Sequence, residues 1–293
     1  MNKYLPIILL VSIIFVAGCI RQERPPTVTR YGVIIKSFMP ELTRIYSGDS
    51  VTFTLVVENV GEADAKNVTA MLFGLGKDWS GDINTSKAKQ NIGELSKAQP
   101  DRKIPGGTAQ IQWDVTSPSN LPVDMTYTAK VRVEYNYDTT AVGVLRVYND
   151  TYLKTLPVSE AERIKASSGI ESFNVTSAPL SISLVGATTP FIYRTVNQNA
   201  SVVIQIANIG EGAPYLSAPG DLNIKILKLT VNNANCTNSV EPVQRIPKSG
   251  TKSITCQFTL PRTEHFTTIP IEIKINYNYY VDASAGITVL KAD

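Results

Sequence analysis

The feature that most constrains the fold is an internal repeat of alternating apolar and polar residues. The two copies lie at residues 51–57 and 200–206, and their apolar positions share one phase: Phe53, Leu55 and Val57, then Val202, Ile204 and Ile206. A period of two describes a β-strand with one face in a hydrophobic core. Asn-x-Gly-Glu ends both segments, and Asn and Gly tolerate the positive φ of a turn. The sequence therefore predicts one β-rich unit that occurs twice.

A second pair of matching segments extends the repeat towards the end of each copy. Residues 131–137 align with residues 273–279, and in both of them inward Val, Ile and Tyr alternate with outward charged or amide side chains. After a short turn, each copy is expected to add a last strand, Gly143–Tyr148 in the first copy and Gly286–Leu290 in the second.

Many short strands separated by turns predict an all-β protein with two tandem immunoglobulin-like (Ig-like) β-sandwich domains, residues 32–149 and 179–293. Between them, residues 150–178 break the strand pattern. Ser-Glu-Ala-Glu at 159–162 fits a helix capping box, which predicts a linker with a short helix. A loose linker is the alternative.

The alignment of the copies also places Trp113 at the position of Cys256, and both share the inward phase. We expect Trp113 to anchor the first core and a Cys236–Cys256 disulfide to take its place in the second; two free thiols are the alternative. Such a bridge is typical of proteins outside the cytoplasm. Because His265 is the only histidine, we expect no zinc site. The sequence has no Asp-rich calcium loop and no P-loop or dinucleotide signature, so we expect no other metal and no cofactor.

The N-terminus has the features of an export signal. A positive residue precedes an apolar run at 5–16, which is shorter than the roughly 20 residues of a membrane-spanning helix. Phe-Val-Ala-Gly-Cys at 15–19 resembles the lipobox of prokaryotic lipoproteins, which implies cleavage before Cys19 and lipidation of its thiol. We thus expect a signal peptide at 1–18 and a lipid-anchored stalk at 19–31. An uncleaved signal anchor is the alternative, and both place the chain outside the cytoplasm, at the cell membrane.

Two motifs of the first copy resemble the Ig-like CARDB/NEW3 type domains of archaeal and bacterial surface and S-layer-associated proteins. One is Val-Glu-Asn-Val-Gly-Glu-Ala at 57–63, followed by Ala-Lys-Asn-Val-Thr-Ala, and the other is Pro-Gly-Gly-Thr at 105–108 before a Trp-containing strand. The resemblance covers most of residues 33–148 and, more loosely, 179–291, where the Ala-x-Asn-Val segment is replaced. It implies adhesion, spacing or assembly at the cell surface rather than catalysis.

Two aromatic residues are candidate ligand contacts. Trp79 lies in a long excursion, residues 74–103, and could stack on a sugar or a partner. The alternative is a loop tryptophan that folds back onto its own domain. Tyr280 breaks the inward phase of Tyr277 and Tyr279, so we expect its ring at the surface.

Six Asn-x-Ser/Thr sequons are candidate N-glycosylation sites, in keeping with a glycosylated surface protein. They start at Asn67, Asn84, Asn149, Asn174, Asn199 and Asn235.

Charge and residue types argue against several function classes. The formal net charge is +3 with both signs interspersed, so we expect no nucleic-acid partner. A single histidine leaves no cluster for a catalytic triad or histidine-based acid–base chemistry. Asp78 and Asp82 come nearest to the paired carboxylates of a glycosidase, but they lie on one loop. We therefore expect no enzyme activity.

The sequence favours a structural or interaction protein. We expect a lipid-anchored extracytoplasmic protein that contacts membrane lipid through Cys19 and presents two Ig-like domains to other envelope proteins or glycans. One alternative is a carbohydrate- or small-ligand-binding lipoprotein accessory to a transporter or enzyme; another is a degenerate hydrolase subunit. An aromatic groove would favour ligand binding, whereas flat faces and exposed sheet edges would favour assembly.

Overall fold

Most of the chain forms β-strands, in agreement with the all-β prediction. The computed structural model describes residues 31–248 and 250–292. Strands account for 58% and helices for 9%, so the helices can serve only as connections.

The strands of the first repeat are β1 (Val33–Pro40), β2 (Arg44–Tyr46), β3 (Ser50–Asn59), β4 (Ala65–Phe73), β5 (Ser80–Gly81), β6 (Lys89–Leu95), β7 (Thr108–Thr116) and β8 (Met125–Asn149). Three 3-10 turns interrupt them at Asp82–Asn84, Ser86–Ala88 and Pro100–Arg102.

Two helices then connect the repeats: α1 (Asp150–Thr155) and α2 (Val158–Lys165). The remaining strands are β9 (Ile170–Val175), β10 (Leu180–Val185), β11 (Phe191–Tyr193), β12 (Asn199–Asn208), β13 (Ala213–Tyr215), β14 (Asn223–Val231), β15 (Ala234–Asn235), β16 (Val243–Arg245), β17 (Thr251–Thr259) and β18 (Phe266–Leu290).

The strands form one large sheet and two small ones. The first small sheet has the order β1-β3-β7-β5 and the second has the order β10-β12-β17. The large sheet has eleven strands built on the path β15-β14-β18-β8-β4-β6. Its pairs are antiparallel except that β2 pairs parallel with β18 and β11 pairs parallel with β8.

Two exceptionally long strands, β8 and β18, run through the middle of the large sheet. Each has 25 residues, and they pair antiparallel from Phe266 opposite Tyr148 to Val289 opposite Met125. The predicted turns before Gly143–Tyr148 and Gly286–Leu290 are therefore wrong. In β8 the expected turn region is Asp-Thr-Thr-Ala-Val at 138–142, which keeps the two-residue alternation and carries β-branched side chains that favour a strand.

The long strands exchange partners between the repeats. The first half of β8 pairs with β4 of its own repeat, whereas its second half pairs with β9 and β11 of the other. The first half of β18 likewise pairs with β14, and its last residues pair with β2 of the first repeat. Each repeat thus supplies a last strand to the other, and the sequence boundary between the repeats does not coincide with a break in the sheet.

One hydrophobic cluster spans both repeats and joins the inner faces of the three sheets. Trp113 on β7 lies opposite Phe53 on β3, and Cys256 on β17 lies opposite Val202 on β12. Trp113 and Cys256 are both 0% exposed. The prediction that the two residues occupy equivalent core positions is confirmed.

The connector differs from its prediction in two ways. Helix α2 begins after Pro157, which makes no side-chain cap bond, so Ser159 lies inside the helix and the capping box is wrong. Residues 170–175, expected within the linker, form β9 and pair with β8. Because β9 adds a strand to the large sheet, the end of the connector is part of the fold.

Removal of the Trp113 ring should test its role in the core. We expect Trp113→Ala to lower the free energy of unfolding by about 3–5 kcal/mol, because a large buried side chain is replaced by a cavity. Urea denaturation measures this loss. The control is Gln112→Ala at the exposed neighbouring position, which should stay within about 0.5 kcal/mol. Similar effects of both substitutions would contradict the assignment.

Candidate functional site

The midpoint of the ladder between β8 and β18 carries four buried tyrosines. Tyr137 faces Tyr277, and Tyr135 faces Tyr279. None is more than 1% exposed. The ring centroids are 6.4 Å apart in the first pair and 5.8 Å apart in the second. Because the repeat relates Tyr135 to Tyr277 and Tyr137 to Tyr279, the cluster has an approximate twofold symmetry.

One tyrosine of each repeat fixes the first strand of a small sheet. The Tyr135 hydroxyl accepts a hydrogen bond from the backbone N–H of Val33, at 3.2 Å. The Tyr277 hydroxyl accepts one from the backbone N–H of Leu180, at 3.3 Å, and lies 2.8 Å from the Thr139 hydroxyl. The large sheet thereby positions β1 and β10 through the same contact.

The other two tyrosines bind the asparagines of the repeated Asn-x-Gly-Glu motif. The Tyr137 hydroxyl donates to Asn59 Oδ1 at 3.2 Å, and the Tyr279 hydroxyl donates to Asn208 Oδ1 at 2.8 Å. Each hydroxyl also accepts from a backbone N–H of the following turn. Each asparagine amide donates to nearby backbone carbonyls. The motif predicted as turn chemistry is therefore also a tertiary contact, which the sequence pattern alone did not reveal.

Burial changes the acid–base properties of the four tyrosines. Loss of solvation raises the pKa of Tyr135 and Tyr277 well above the ordinary value of 10, and it also raises the pKa of Tyr137 and Tyr279. All four hydroxyls therefore stay protonated at neutral pH, where each can donate one hydrogen bond. Their arrangement serves to hold the sheets together.

The outer face of the same strands carries a cation held among aromatic rings. Arg132 makes two hydrogen bonds of 2.8 Å to the Asp282 carboxylate opposite it. Its guanidinium carbon lies 4.2 Å from the ring centroid of Tyr280 and 6.0 Å from that of Phe73. The hydrogen bond to Asp282 raises the pKa of Arg132. The side chain is thus fixed in place by its bidentate pairing and by its position over the Tyr280 ring.

Beside this group, an amide network covers the midpoint of the ladder. Asn276 Nδ2 donates to Asn136 Oδ1 at 2.9 Å and to Asp138 Oδ1 at 2.7 Å. Asn136 Nδ2 donates to Asn278 Oδ1 at 3.0 Å, and Lys274 lies 3.3 Å from the second oxygen of Asp138. The outer face is therefore a polar surface whose groups bind one another.

Tyr280 lies on this outer face, as its phase predicts, but its ring is covered. The ring is half-buried, with Arg132 over it and Tyr215 6.2 Å away on β13. Burial raises the pKa of Tyr215 to about 12. A ligand that stacked on the ring face under Arg132 would have to displace the guanidinium.

The expectation that Trp79 contacts a ligand is contradicted by its burial. The residue is 1% exposed, and its ring packs edge-on against Tyr127 with centroids 5.3 Å apart. Asn84 Nδ2 donates to the Trp79 carbonyl. The indole N–H finds no acceptor among the described residues. The alternative interpretation, a loop tryptophan folded back onto its own domain, describes this residue.

The two aspartates of the same excursion, Asp78 and Asp82, have different surroundings. Asp82 Oδ2 accepts from the backbone N–H of Asp114 at 3.0 Å, and Asp82 Oδ1 lies 3.6 Å from Lys87. Gln90 donates to the Gln112 carbonyl of the same strand, at 2.8 Å. Asp82 and Gln90 therefore bond the backbone N–H of Asp114 and the carbonyl of Gln112 along the edge of β7. Backbone groups that are left unbonded at a sheet edge can pair with another chain. Asp78 is exposed and takes no part in this arrangement.

The predicted disulfide is present. Cys236 and Cys256 are joined with an S–S distance of 2.05 Å. Cys236 follows β15, just past β14, and Cys256 lies at the core position equivalent to Trp113. The bridge therefore links the edge of the large sheet to the inner face of the second small sheet.

The sequons divide by their surroundings. Five of them have an exposed asparagine: Asn67, Asn84, Asn174, Asn199 and Asn235. Asn149 is half-buried, and its Oδ1 accepts from two N–H groups at the start of α1 while its Nδ2 donates to Thr263. An N-glycan attaches to Nδ2, so a glycan on Asn149 would crowd the hydrogen bond to the Thr263 carbonyl, and this candidate is the least suited to modification.

Cys19 and the signal peptide lie outside the described residues. Among residues 31–248 and 250–292, no helix is long and apolar enough to cross a membrane. The same residues contain no group of three or more His, Cys, Asp and Glu side chains that could hold a metal ion. Lipidation, glycosylation and membrane attachment remain predictions.

No family model and no curated protein matches the chain. A protein of unknown function from Porphyromonas gingivalis W83 is similar over 84% of this chain and 82% of its own, with 11% identity and a TM-score of 0.19. The secreted serine protease VesC from Vibrio cholerae is similar over 84% of this chain and 50% of its own, with 13% identity and a TM-score of 0.22. The CupB6 tip adhesin from Pseudomonas aeruginosa is similar over 89% of this chain and 97% of its own, with 10% identity and a TM-score of 0.15. These likenesses are too distant to assign a fold family or a function.

The buried tyrosines should make the protein sensitive to alkali. Because their pKa is raised by folding, their contribution to stability is full below the unfolded value of about 10 and is lost as the pH rises through the folded values. Above pH 10, we expect the free energy of unfolding to fall by about 1.4 kcal/mol per pH unit for each tyrosine that ionises only on unfolding. Denaturation at pH 8 to 11 measures the slope.

Tyr279→Phe is the matched variant for this prediction. It should lower stability at pH 8 by about 1–3 kcal/mol, because Asn208 and a turn N–H lose their partner. It should also make the slope above pH 10 less steep by the contribution of one tyrosine. An unchanged slope would mean that Tyr279 does not contribute to it.

Loss of the disulfide should destabilise the second repeat. The bridge closes a loop with a sequence separation of 20, so its removal should cost on the order of 3 kcal/mol. We expect the Cys236→Ser, Cys256→Ser double variant to show this loss in urea denaturation. The control is a thiol reductant, which should destabilise the parent protein but leave the double variant unchanged.

Proposed function

We propose that this chain is a lipid-anchored extracytoplasmic protein that presents two Ig-like β-sandwiches to other envelope proteins or glycans. In this proposal the protein acts as a stiff spacer or adhesion body and carries out no catalysis. The anchor is the lipid on Cys19, and the contact surfaces are the outer sheet faces.

The observation that carries the proposal is the unbroken ladder between β8 and β18. The two strands pair from Tyr148 to Met125 without a register shift. Separate domains on a linker move relative to each other unless their interface is large. Here the continuous ladder joins the repeats, and its backbone hydrogen bonds oppose independent motion of the two halves. Such a body holds two sets of surfaces at a fixed spacing, as a spacer requires.

The Ig-like interpretation is supported by the layering of the sheets. In each repeat, the inner faces of a small sheet and of the large sheet share one hydrophobic cluster, and two packed sheets make a β-sandwich. The tyrosine of an Ig corner bonds backbone a few residues upstream, whereas Tyr137 and Tyr279 bond turns 74 and 67 residues away. In this interpretation each sandwich consists of one small sheet and half of the large sheet, and each takes its last strand from the other repeat.

A location outside the cytoplasm is supported by the disulfide. Disulfides persist in oxidising compartments and are rare in the cytosol. The Cys236–Cys256 bridge accounts for both cysteines other than Cys19. Five exposed sequons are compatible with the same location.

The ligand-binding alternative depended on exposed rings at Trp79 and Tyr280. Trp79 is buried and the Tyr280 ring is covered by Arg132. Because neither aromatic residue is freely presented, we retain a single proposed function.

Replacement of Cys19 should test the anchor. We expect Cys19→Ser to lower the amount of mature protein in the membrane fraction, because the lipidated thiol is lost. The variant should appear either in the soluble fraction or as a precursor with an uncleaved N-terminus. Membrane fractionation with mass spectrometry of the mature N-terminus measures both changes. The Cys236→Ser, Cys256→Ser double variant is the control and should stay membrane-bound. Normal maturation and membrane retention of Cys19→Ser would exclude lipidation as the anchor.

The interaction role should be visible as binding to the cell envelope. We expect Cys19→Ser protein recovered from the soluble fraction to bind isolated envelopes saturably, and we expect binding to fall when the envelopes are stripped of protein or glycan. The control is an equal concentration of urea-unfolded chain. Binding that does not saturate, or that equals the control, would oppose the proposal.

A further inference from the structure

A pair of aromatic rings lies on the outer face of the large sheet, at the end of the ladder in the second repeat. Phe266 is directly opposite Tyr148, and the two rings are nearly parallel, with centroids 5.6 Å apart. The neighbouring Val147 is fully buried, so strand alternation turns Tyr148 away from the core. Phe266 is 58% exposed. The pair therefore presents an apolar surface to solvent where the ladder ends.

An arginine without a described counter-ion lies beside these rings. Arg146 is two residues before Tyr148, opposite Thr268, and its side chain is half-buried. In the described part of the chain no carboxylate pairs with Arg146, whereas Arg132 on the same face has such a partner. A guanidinium in this position is suited to bind an anionic group of a ligand.

A second arginine follows on the other side of the rings. Arg194 comes directly after β11, whose Ile192 is opposite Tyr148, and its side chain is 65% exposed. Its Nε lies 3.8 Å from one oxygen of Asp150, and the other oxygen of that carboxylate lies 2.7 Å from Lys154. The rings therefore lie between two cations along the direction of the strands.

The first repeat shows that the fold does not require this arrangement. The alignment that relates Tyr135 to Tyr277 gives a first-repeat counterpart for each residue of the face. Leu290 takes the place of Tyr148, Asp124 that of Phe266, Thr288 that of Arg146 and Thr126 that of Thr268. There the two threonine hydroxyls lie 3.2 Å apart and bond each other. Because the same ladder ends without an aromatic pair and without a cation, the side chains of the second repeat serve something besides the fold.

We propose that Tyr148, Phe266 and Arg146 form a binding face for a saccharide that carries carboxylates, such as a polymer of uronic acid. The inference rests on the proposed contact with envelope glycans and names the surface and the class of glycan. A uronic acid joins a flat ring with apolar C–H groups to a carboxylate. One such sugar can stack on an aromatic ring while the guanidinium binds its carboxylate.

The position of the rings favours a saccharide over an acidic polypeptide. Anchor residues of protein partners fill pockets, whereas Phe266 and Tyr148 lie on the face of two paired strands. A polymer of flat, charged rings can lie along such a face, with successive sugars near the two arginines.

Binding of polygalacturonate tests the proposal. We expect Cys19→Ser protein recovered from the soluble fraction to bind this polymer saturably, and more weakly as salt screens the charge pair. Carboxyl-reduced polygalacturonate keeps the sugar chain without its charge and should bind about tenfold more weakly. Polyglutamate, an acidic polypeptide without sugar rings, should also bind about tenfold more weakly. Titration calorimetry measures the three affinities.

Two variants separate the ring from the charge. Phe266→Ala and Arg146→Gln should each weaken polygalacturonate binding about tenfold, and Arg146→Gln should also remove most of the preference for the charged polymer. The matched controls are Tyr46→Ala and Arg44→Gln, which replace an exposed ring and an exposed cation of β2, the counterpart of β11. Both controls should bind like the parent. Urea denaturation checks that each variant is folded, and Arg146→Gln decides if Phe266→Ala is not.

Each result decides the proposal. Saturable binding that the two variants weaken and the two controls keep supports it. Binding that neither variant weakens overturns it, and so does equal binding of polyglutamate, which would assign the face to an acidic polypeptide. Absence of polygalacturonate binding also overturns it. If the same protein still binds isolated envelopes, only this assignment fails; if it binds neither, the proposed function fails as well.

Discussion

The backbone ladder between β8 and β18 joins the two repeats, because each long strand belongs to both. The first half of either strand pairs within its own repeat, and the second half pairs with strands of the other. Neither repeat can complete its half of the large sheet without the other. We therefore expect the described part of the chain to unfold as one cooperative unit, although the sequence has the length of two ordinary domains.

The tyrosine cluster attaches the two small sheets to this ladder. Tyr135 and Tyr277 fix the strands that begin the two small sheets, while Tyr137 and Tyr279 fix the turns that follow Asn59 and Asn208. A buried hydroxyl without a partner is costly, so each of these bonds also satisfies a group that burial removed from water. The small sheets are consequently positioned by polar contacts at the same place where the long strands cross from one repeat to the other.

Much of the fold could be predicted from the sequence, because its signals are local. The two-residue alternation identified β3, β12 and the tyrosine strands, and the aligned copies placed Trp113 and Cys256 at equivalent core positions. The strand exchange could not be predicted, since alternation shows which face is buried but not which neighbour pairs with it. Trp79 was open to two interpretations for a related reason: loop composition does not tell whether a ring faces solvent or its own domain. The Asn-x-Gly-Glu repeat did carry a signal for Asn59 and Asn208, but their tyrosine partners are distant in the chain.

The position of Tyr31 has a consequence for how the protein would stand on a membrane. Gly32 lies against Pro179 and the hydroxyl of Tyr135, beside the midpoint of the long strands. The chain thus enters the described fold beside the midpoint of the long strands and not at either of their ends. Between Cys19 and Tyr31, roughly a dozen residues can span at most about 40 Å when fully extended. If Cys19 carries a lipid, as we propose, the tether would join the fold beside the midpoint of the long strands, so that both repeats would lie within similar reach of the membrane.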